Sequence, residues 1–183
     1  MDFTNLKSLT ILEGEVAEIS VGGVLLWKSG YTNLVPLSTE IDGKTIFNSG
    51  KGYRDGYRLS SSGAEKTQSN TVVTGFIPAK RGDVIRMKGV TWGTTVSGGY
   101  SYIQTYNASG AVIHSVNRYM METSNGVSNV IGIDKSKSSI TTDSNGVTTF
   151  NLVFTDTTAF EYIRINATGK GADMVVTINE EIE

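Results

Sequence analysis

Few residues in this chain could carry chemistry, and their spacing limits what that chemistry could be. The single histidine, His114, sits in the strand-like run AVIHSVN. A histidine-built metal site needs several such ligands, so zinc is not expected. A Ser-His-Asp triad would have to use His114 as its base, and no GxSxG elbow is present. The expectation is a partly buried strand histidine with a satisfied ring and no catalytic role. Glycoside hydrolysis needs two carboxylates facing each other across the scissile bond. Asp55, Glu65, Asp83, Asp134, Asp143, Asp156 and Glu161 are candidates, yet most stand in turn contexts where an Asp side chain serves its own backbone. No spacing marks an acid–base pair, so the chain is read as a non-enzyme. TDSNG (142–146) hints at a calcium loop but lacks the full Asp-x-[Asp/Asn]-x-[Asp/Asn]-Gly run and its distant Glu. A plain hairpin turn is expected there, and no cofactor. RGD (81–83) reads as turn chemistry between FIPAK and VIRM. The sequons at Asn107 and Asn166 mean little without a secretory signal.

Aromatic residues are the remaining signal. Tyr53, Tyr57, Trp92, Tyr100, Tyr102, Tyr106 and Tyr119 gather in the middle third. In YSYIQTY, Tyr100, Tyr102, Gln104 and Tyr106 share one parity and Ile103 takes the other. A strand here would send Ile103 to the core and present a polar-aromatic face on the opposite side, with Trp92 near its rim. Such a face suits a sugar, whose CH-rich surface stacks on rings while amides read its hydroxyls. The competing reading is a solvated face stiffened by cross-strand tyrosines, or one buried against another subunit. GKGYRDGYRLSSSG (50–63) carries Gly-Tyr-Arg twice. Gly52 and Gly56 would bracket a turn, with Asp55 paired to Arg54 or Arg58. Leu59 would face the core with Tyr57 beside it. That leaves Tyr53 and Arg54 as candidate ligand contacts.

The elements that must position these residues are strands. Gly is abundant (21), Pro scarce (2), and Thr, Ser, Val, Ile and Tyr are plentiful. No long stretch has a helical apolar period with a cap, so the fold class is all-β. In EVAEISVGGVLLWK (15–28), Ala17, Ile19 and Val21 alternate with polar residues, and Gly22-Gly23 can form a two-residue turn. An isolated hairpin is marginal in water. It must pack on the main domain, another subunit or a larger assembly, and its apolar Ile19, Val21, Leu25 and Trp27 are the expected assembly interface. KSGYTN (28–33) reads as a linker. LVPLS reads as an edge strand or the lead-in to one. After residue 33, eight to ten short strands follow at sandwich spacing. The expected order is a hairpin element within residues 1–30, then a sandwich or jelly roll over 33–183.

The totals set further bounds. A chain of 183 residues is one domain, or one with a small appendage. With 16 basic against 18 acidic residues, nothing favours nucleic acid or a membrane surface. No apolar run approaches the ~20 residues that span a bilayer. The absence of cysteine excludes disulfides and thiolate metal sites. The N-terminus lacks the layout of a signal peptide, which fits synthesis in a cytoplasm.

LEGEVAEISVGGVLLWKSGYTNLVPLSTEIDGKTIFN, followed by GYRDGYRLSSSG, resembles small structural proteins of tailed bacteriophages and prophages of Gram-positive gut bacteria. TGFIPAKRGDVIRMKG, EYIRIN and MVVTINEEI resemble their jelly-roll domains. The resemblance implies a tail, baseplate or fibre component located in the virion, with a jelly roll like a carbohydrate-binding module. It further implies attachment to other virion proteins through the first 28 residues. A short hairpin anchor and a compact β-domain suit a homo-oligomer such as a trimer. The ligand implied is a host cell-surface glycan. The alternative is a decoration or cementing protein with no glycan ligand.

Overall fold

The computed structural model describes residues 6–12, 15–21, 24–28, 31–41, 51–92, 102–117, 133–134 and 136–182. Its regular elements are strands, apart from one short 3₁₀ turn at Gly171–Asp173. The fold is an all-β sandwich. The first sheet holds β5 (Tyr53–Leu59), β6 (Glu65–Thr74), β7 (Ile77–Pro78), β9 (Tyr102–Tyr106), β10 (Val112–Asn117) and β13 (Tyr162–Thr168). Its order is β10-β9-β13-β6-β5, with β7 pairing the start of β13. The second sheet, β11-β12-β8-β14, holds β8 (Val84–Lys88), β11 (Ser139–Thr142), β12 (Thr148–Asn151) and β14 (Val175–Ile178). All pairings are antiparallel. From β7 onward the chain passes between the sheets at β8, β9, β11, β13 and β14, the wrapped path expected of a jelly roll.

Alternation explains which faces meet. In β13, Ile163, Ile165 and Ala167 enter the core, while Tyr162, Arg164 and Asn166 take the opposite face. Ile165 sits across from Ile103 of β9, and Ala167 across from Val72 of β6. From the second sheet, Ile85, Met87, Phe150 and Val176 close the interior. Trp92 meets Phe150 edge-to-face at 4.9 Å between centroids. The apolar parity of FNLVF is realised in Phe150 and Leu152, both buried.

Three hairpin turns share one construction, at 60–64, 107–111 and 143–147. In each, the first residue's N–H donates to the fifth residue's carbonyl, and the fourth residue, a glycine, donates back to the first. Gly63, Gly110 and Gly146 have φ between 73° and 82°, the left-handed region that glycine tolerates without strain. Each first residue also caps the turn with its side chain: Ser60 Oγ accepts from Ala64 N, Asn107 Oδ1 from Ala111 N, and Asp143 Oδ1 from Val147 N. TDSNG is therefore built as a hairpin turn. Asn107 of the first sequon is likewise committed to its turn.

The N-terminal region is larger than a hairpin. β1 (Leu6–Leu12), β2 (Glu15–Val21), β3 (Val24–Lys28) and β4 (Tyr31–Thr32) form a four-stranded antiparallel sheet in that order. β1 was not legible because LKSLTIL sits among polar residues. The side chains of Val21, Leu25 and Trp27 lie outside the described residues. Ile19 is half-buried and Leu26 is buried.

The expected linker is in fact a docking segment. Tyr31 packs with Val147 and Ile182. Asn33 is fully buried: Oδ1 accepts from Val35 N and Val176 N, and Nδ2 donates to Met174 O. LVPLS is also a correction. It forms a turn, with Ser38 N donating to Val35 O, because Asn33 and Ser38 side chains take the backbone bonds a strand would need.

Candidate functional site

Of the expected site residues, Gln104 and Tyr106 lie on the face of the first sheet turned away from the core, opposite Ile103, which is core. They are not, however, an open platform. Gln104 is fully buried and Tyr106 is 1% exposed. Gln104 Nε2 donates to Ser60 O at 2.7 Å and to Ser115 Oγ at 3.0 Å, and its Oε1 accepts from the Tyr106 hydroxyl at 2.5 Å. The 60–64 turn folds over this strand. A Cβ added at Gly63 would stand 2.6 Å from Val112 Cγ2 and 3.3 Å from the Tyr106 ring, so only glycine lets the turn lie so close. Phe76 meets the tyrosine edge-on at 4.9 Å. Burial pushes the Tyr106 phenol up to about 12, with the Arg164 guanidinium opposing.

The other expected contacts also moved inward. Trp92 and Tyr53 belong to the main core. Tyr53 is held there by close approach, since a Cβ on Gly171 would stand 2.0 Å from its ring. Gly52 and Gly56 do not bracket a turn. Residues 53–59 are one strand with a bulge between Asp55 and Tyr57, and Gly56 at φ 78° supplies the bulge. Asp55 accepts from Gly171 N at 2.8 Å rather than serving either arginine. Leu59 is buried but sits on the Glu65 side of the sheet, outside the main core cluster. Arg54 bonds Glu65 at 3.0 Å and lies over the Tyr57 ring at 3.3 Å. Tyr102 is described by its backbone only, in β9, and Tyr100 lies outside the described residues.

What this face presents is a cleft of about 610 Å³. Phe76, Tyr106 and Arg164 form its floor. The 60–64 turn stands on one side, and Gly110 to Ser115 on the other. The exposed lip is built of small side chains, Ser61 and Ser62 with Ala64 and Ala111. Two sequence features mark the cleft, the glycine of SSSGA and the lone Arg of YIRIN.

His114 occupies a separate, closed cluster. It is fully buried, not partly so, and it stacks 4.5 Å from Phe154. Thr105 Oγ1 accepts from the His114 backbone N–H at 3.1 Å and lies 2.7 Å from Nδ1. On the other side of the ring, Nε2 lies 2.8 Å from Asp156 Oδ2. Arg81 Nη2 holds the other carboxylate oxygen at 2.9 Å. The hydrogen bond from His114 holds the Asp156 carboxyl below the usual range. A hydroxyl, an imidazole and a carboxylate stand in line, but Thr105 is 1% exposed, so no substrate carbonyl can reach it.

The remaining carboxylates serve structure. Glu65 joins two arginines, Asp83 accepts from Lys80 N and Asn179 Nδ2, Asp134 accepts from Ser136, and Asp143 caps its turn. Glu161 is exposed. No group of three His, Cys, Asp or Glu side chains that could hold a metal occurs among the described residues. Asn166, of the second sequon, is buried, accepting from Leu59 N and donating to Val72 O. Against known proteins, no family model, no curated protein and no solved structure matches the chain.

Proposed function

We propose that this chain is a non-enzymatic structural protein of a tailed-phage virion whose displayed β-sandwich binds host cell-surface carbohydrate in the cleft of the first sheet. The observation that carries the reading is the cleft itself: a groove on the sheet face opposite the core, closed at its base by the buried Phe76, Tyr106 and Arg164 and edged by Ser61, Ser62 and Ala111. Its size is within the range of small-ligand sites. The virion assignment rests on the sequence resemblance and on an N-terminal sheet added to a complete sandwich. In a ring or trimer, several weak sites would act together on one glycan-bearing surface. The test is a glycan array probed with the wild-type chain and with Ala111→Trp. Ala111 is exposed on the lip, so the bulky ring should occlude the cleft without disturbing the fold. Binding by the wild type and its loss in the variant, at unchanged melting temperature, is the expected result. Binding that survives Ala111→Trp places the site elsewhere.

A second reading, a decoration or cementing protein without a glycan ligand, is favoured by one observation. The rings expected to stack on sugar, Tyr53, Trp92 and Tyr106, are buried. An array on which no glycan is retained, together with particles that fail to assemble or lose stability without the protein, would support it.

A further inference from the structure

The buried rings at the base of the cleft continue along the sheet to a ring that is not buried. Phe76 meets Tyr106 edge-on at 4.9 Å and Tyr162 edge-on at 6.0 Å, so the three stand in a row. Tyr162 opens β13, opposite Tyr106 of β9 on one side and Pro78 of β7 on the other. Strand alternation puts it on the same face as Arg164, away from the core. Tyr106 and Phe76 are closed off, whereas Tyr162 is half-buried. It borders a groove of about 470 Å³ together with Pro78, Lys80, Asp83 and Glu161. That volume lies within the range of small-ligand sites.

The groove is firmly built but its polar groups are unspent. Glu161 N donates to Tyr106 O, and Ala79 N donates to Glu161 O, so backbone bonds tie its base to the sheet on both sides. Among the described residues, the Tyr162 hydroxyl, the Lys80 ammonium and the Glu161 carboxylate make no hydrogen bond or ion pair. Lys80 and Glu161 are exposed, and by themselves two solvated charges are ordinary. The ring beside them is what gives them a use. Its contact with Phe76 fixes it, so a ligand that stacks on the open part loses little freedom in doing so. Cross-strand neighbours such as Tyr106 and Tyr162 stand about 5 Å apart, a spacing comparable to one pyranose ring.

We infer that the carbohydrate site runs past the cleft onto the Tyr162 ring, so that it takes an oligosaccharide rather than a single sugar. One unit lies in the cleft and the next stacks on Tyr162, its hydroxyls donating to the Glu161 carboxylate and accepting from the Lys80 ammonium. This extension rests on the carbohydrate reading above, and the experiment separates the two. Short and long members of the same glycan series are arrayed and probed with the whole chain. Long members should be retained over short ones. Tyr162→Ala should weaken retention of the long members by about tenfold, the scale of a truncated binding hot spot, and leave the short members unchanged. Tyr162→Phe, which keeps the ring, should bind as the wild type does. Glu161→Ala alters an exposed side chain, should also weaken the long members, and is a second route if Tyr162→Ala does not fold. Equal retention of long and short members would overturn the extension and leave the cleft reading standing. So would long-member binding that is indifferent to both alanine variants. Equal loss of long and short members in a folded Tyr162→Ala would mean that the ring only props up the cleft, and would overturn the extension too. Retention of no glycan would overturn both readings.

Discussion

At the scale of single residues, His114 makes two ring hydrogen bonds and packs against Phe154 and Phe160. His114→Ala removes a buried ring and strands Thr105, so it should cost about 2–4 kcal/mol of stability, read from urea midpoints. Glycan binding in the cleft should be unchanged, since His114 does not line it; its loss in a variant that still folds would place His114 in the binding site. The same cluster sets an acid limit. The Asp156 carboxyl is held below its ordinary value, so its contribution is fully present above about pH 4 and is lost as pH falls through the depressed value. Midpoints measured from pH 7 down to pH 2.5 should fall at the acid end, and less steeply in His114→Ala. The sequence placed Ile103, Gln104 and Tyr106 on their two faces, because alternation is a local property of one strand. It could not place the cover. The carbonyl that takes the Gln104 amide belongs to Ser60, 44 residues away, and that contact turns an exposed face into a floor.

At the scale of elements, two glycines with the same φ of 78° separate conformational strain from collision. Gly146 ends a turn with open space around it. Gly146→Ala should cost about 1 kcal/mol, the strain of a left-handed alanine. Gly52 packs so tightly that an added Cβ would stand 1.9 Å from the Val35 carbonyl oxygen, and backbone cannot step aside as a side chain can. Gly52→Ala should therefore cost about 3 kcal/mol or more, or prevent folding. Paired denaturation curves check both, and equal costs would mean that Val35 yields. Turn chemistry of the Gly146 kind is legible because it is local: Asn-Gly between alternating strands is sufficient. The 34–38 turn was misread as a strand because its determinants are remote. Ser38 Oγ donates to the carbonyl of Gly52, and Asn33 reaches across to β14.

At the scale of the whole molecule, the question is whether the N-terminal sheet belongs to the core or to an assembly. Its last strand runs directly into Asn33, whose three side-chain hydrogen bonds tie it to β14 and to its own turn. Those bonds lie beyond residue 30. Deleting residues 1–30 should leave a folded sandwich with a lowered melting temperature, through loss of the Asn33-to-Leu26 bond and the burial of Leu26. The truncated chain should no longer join its oligomer, as read by light scattering. A truncated chain that does not fold would make the sheet part of the core. Strand count and sandwich architecture were legible because many short alternating runs allow few other packings. How the first 30 residues attach was not, because Tyr31, Thr32 and Asn33, which follow them, reach partners remote in the sequence. The cleft's two walls have a different consequence. Each is a five-residue turn closed by its own first side chain and its own glycine, with the floor held separately by strand pairing. The lip positions Ser61 and Ser62 on one side and Ala111 on the other can therefore be rewritten without renegotiating the frame. Sequence drift there should cost little in folding.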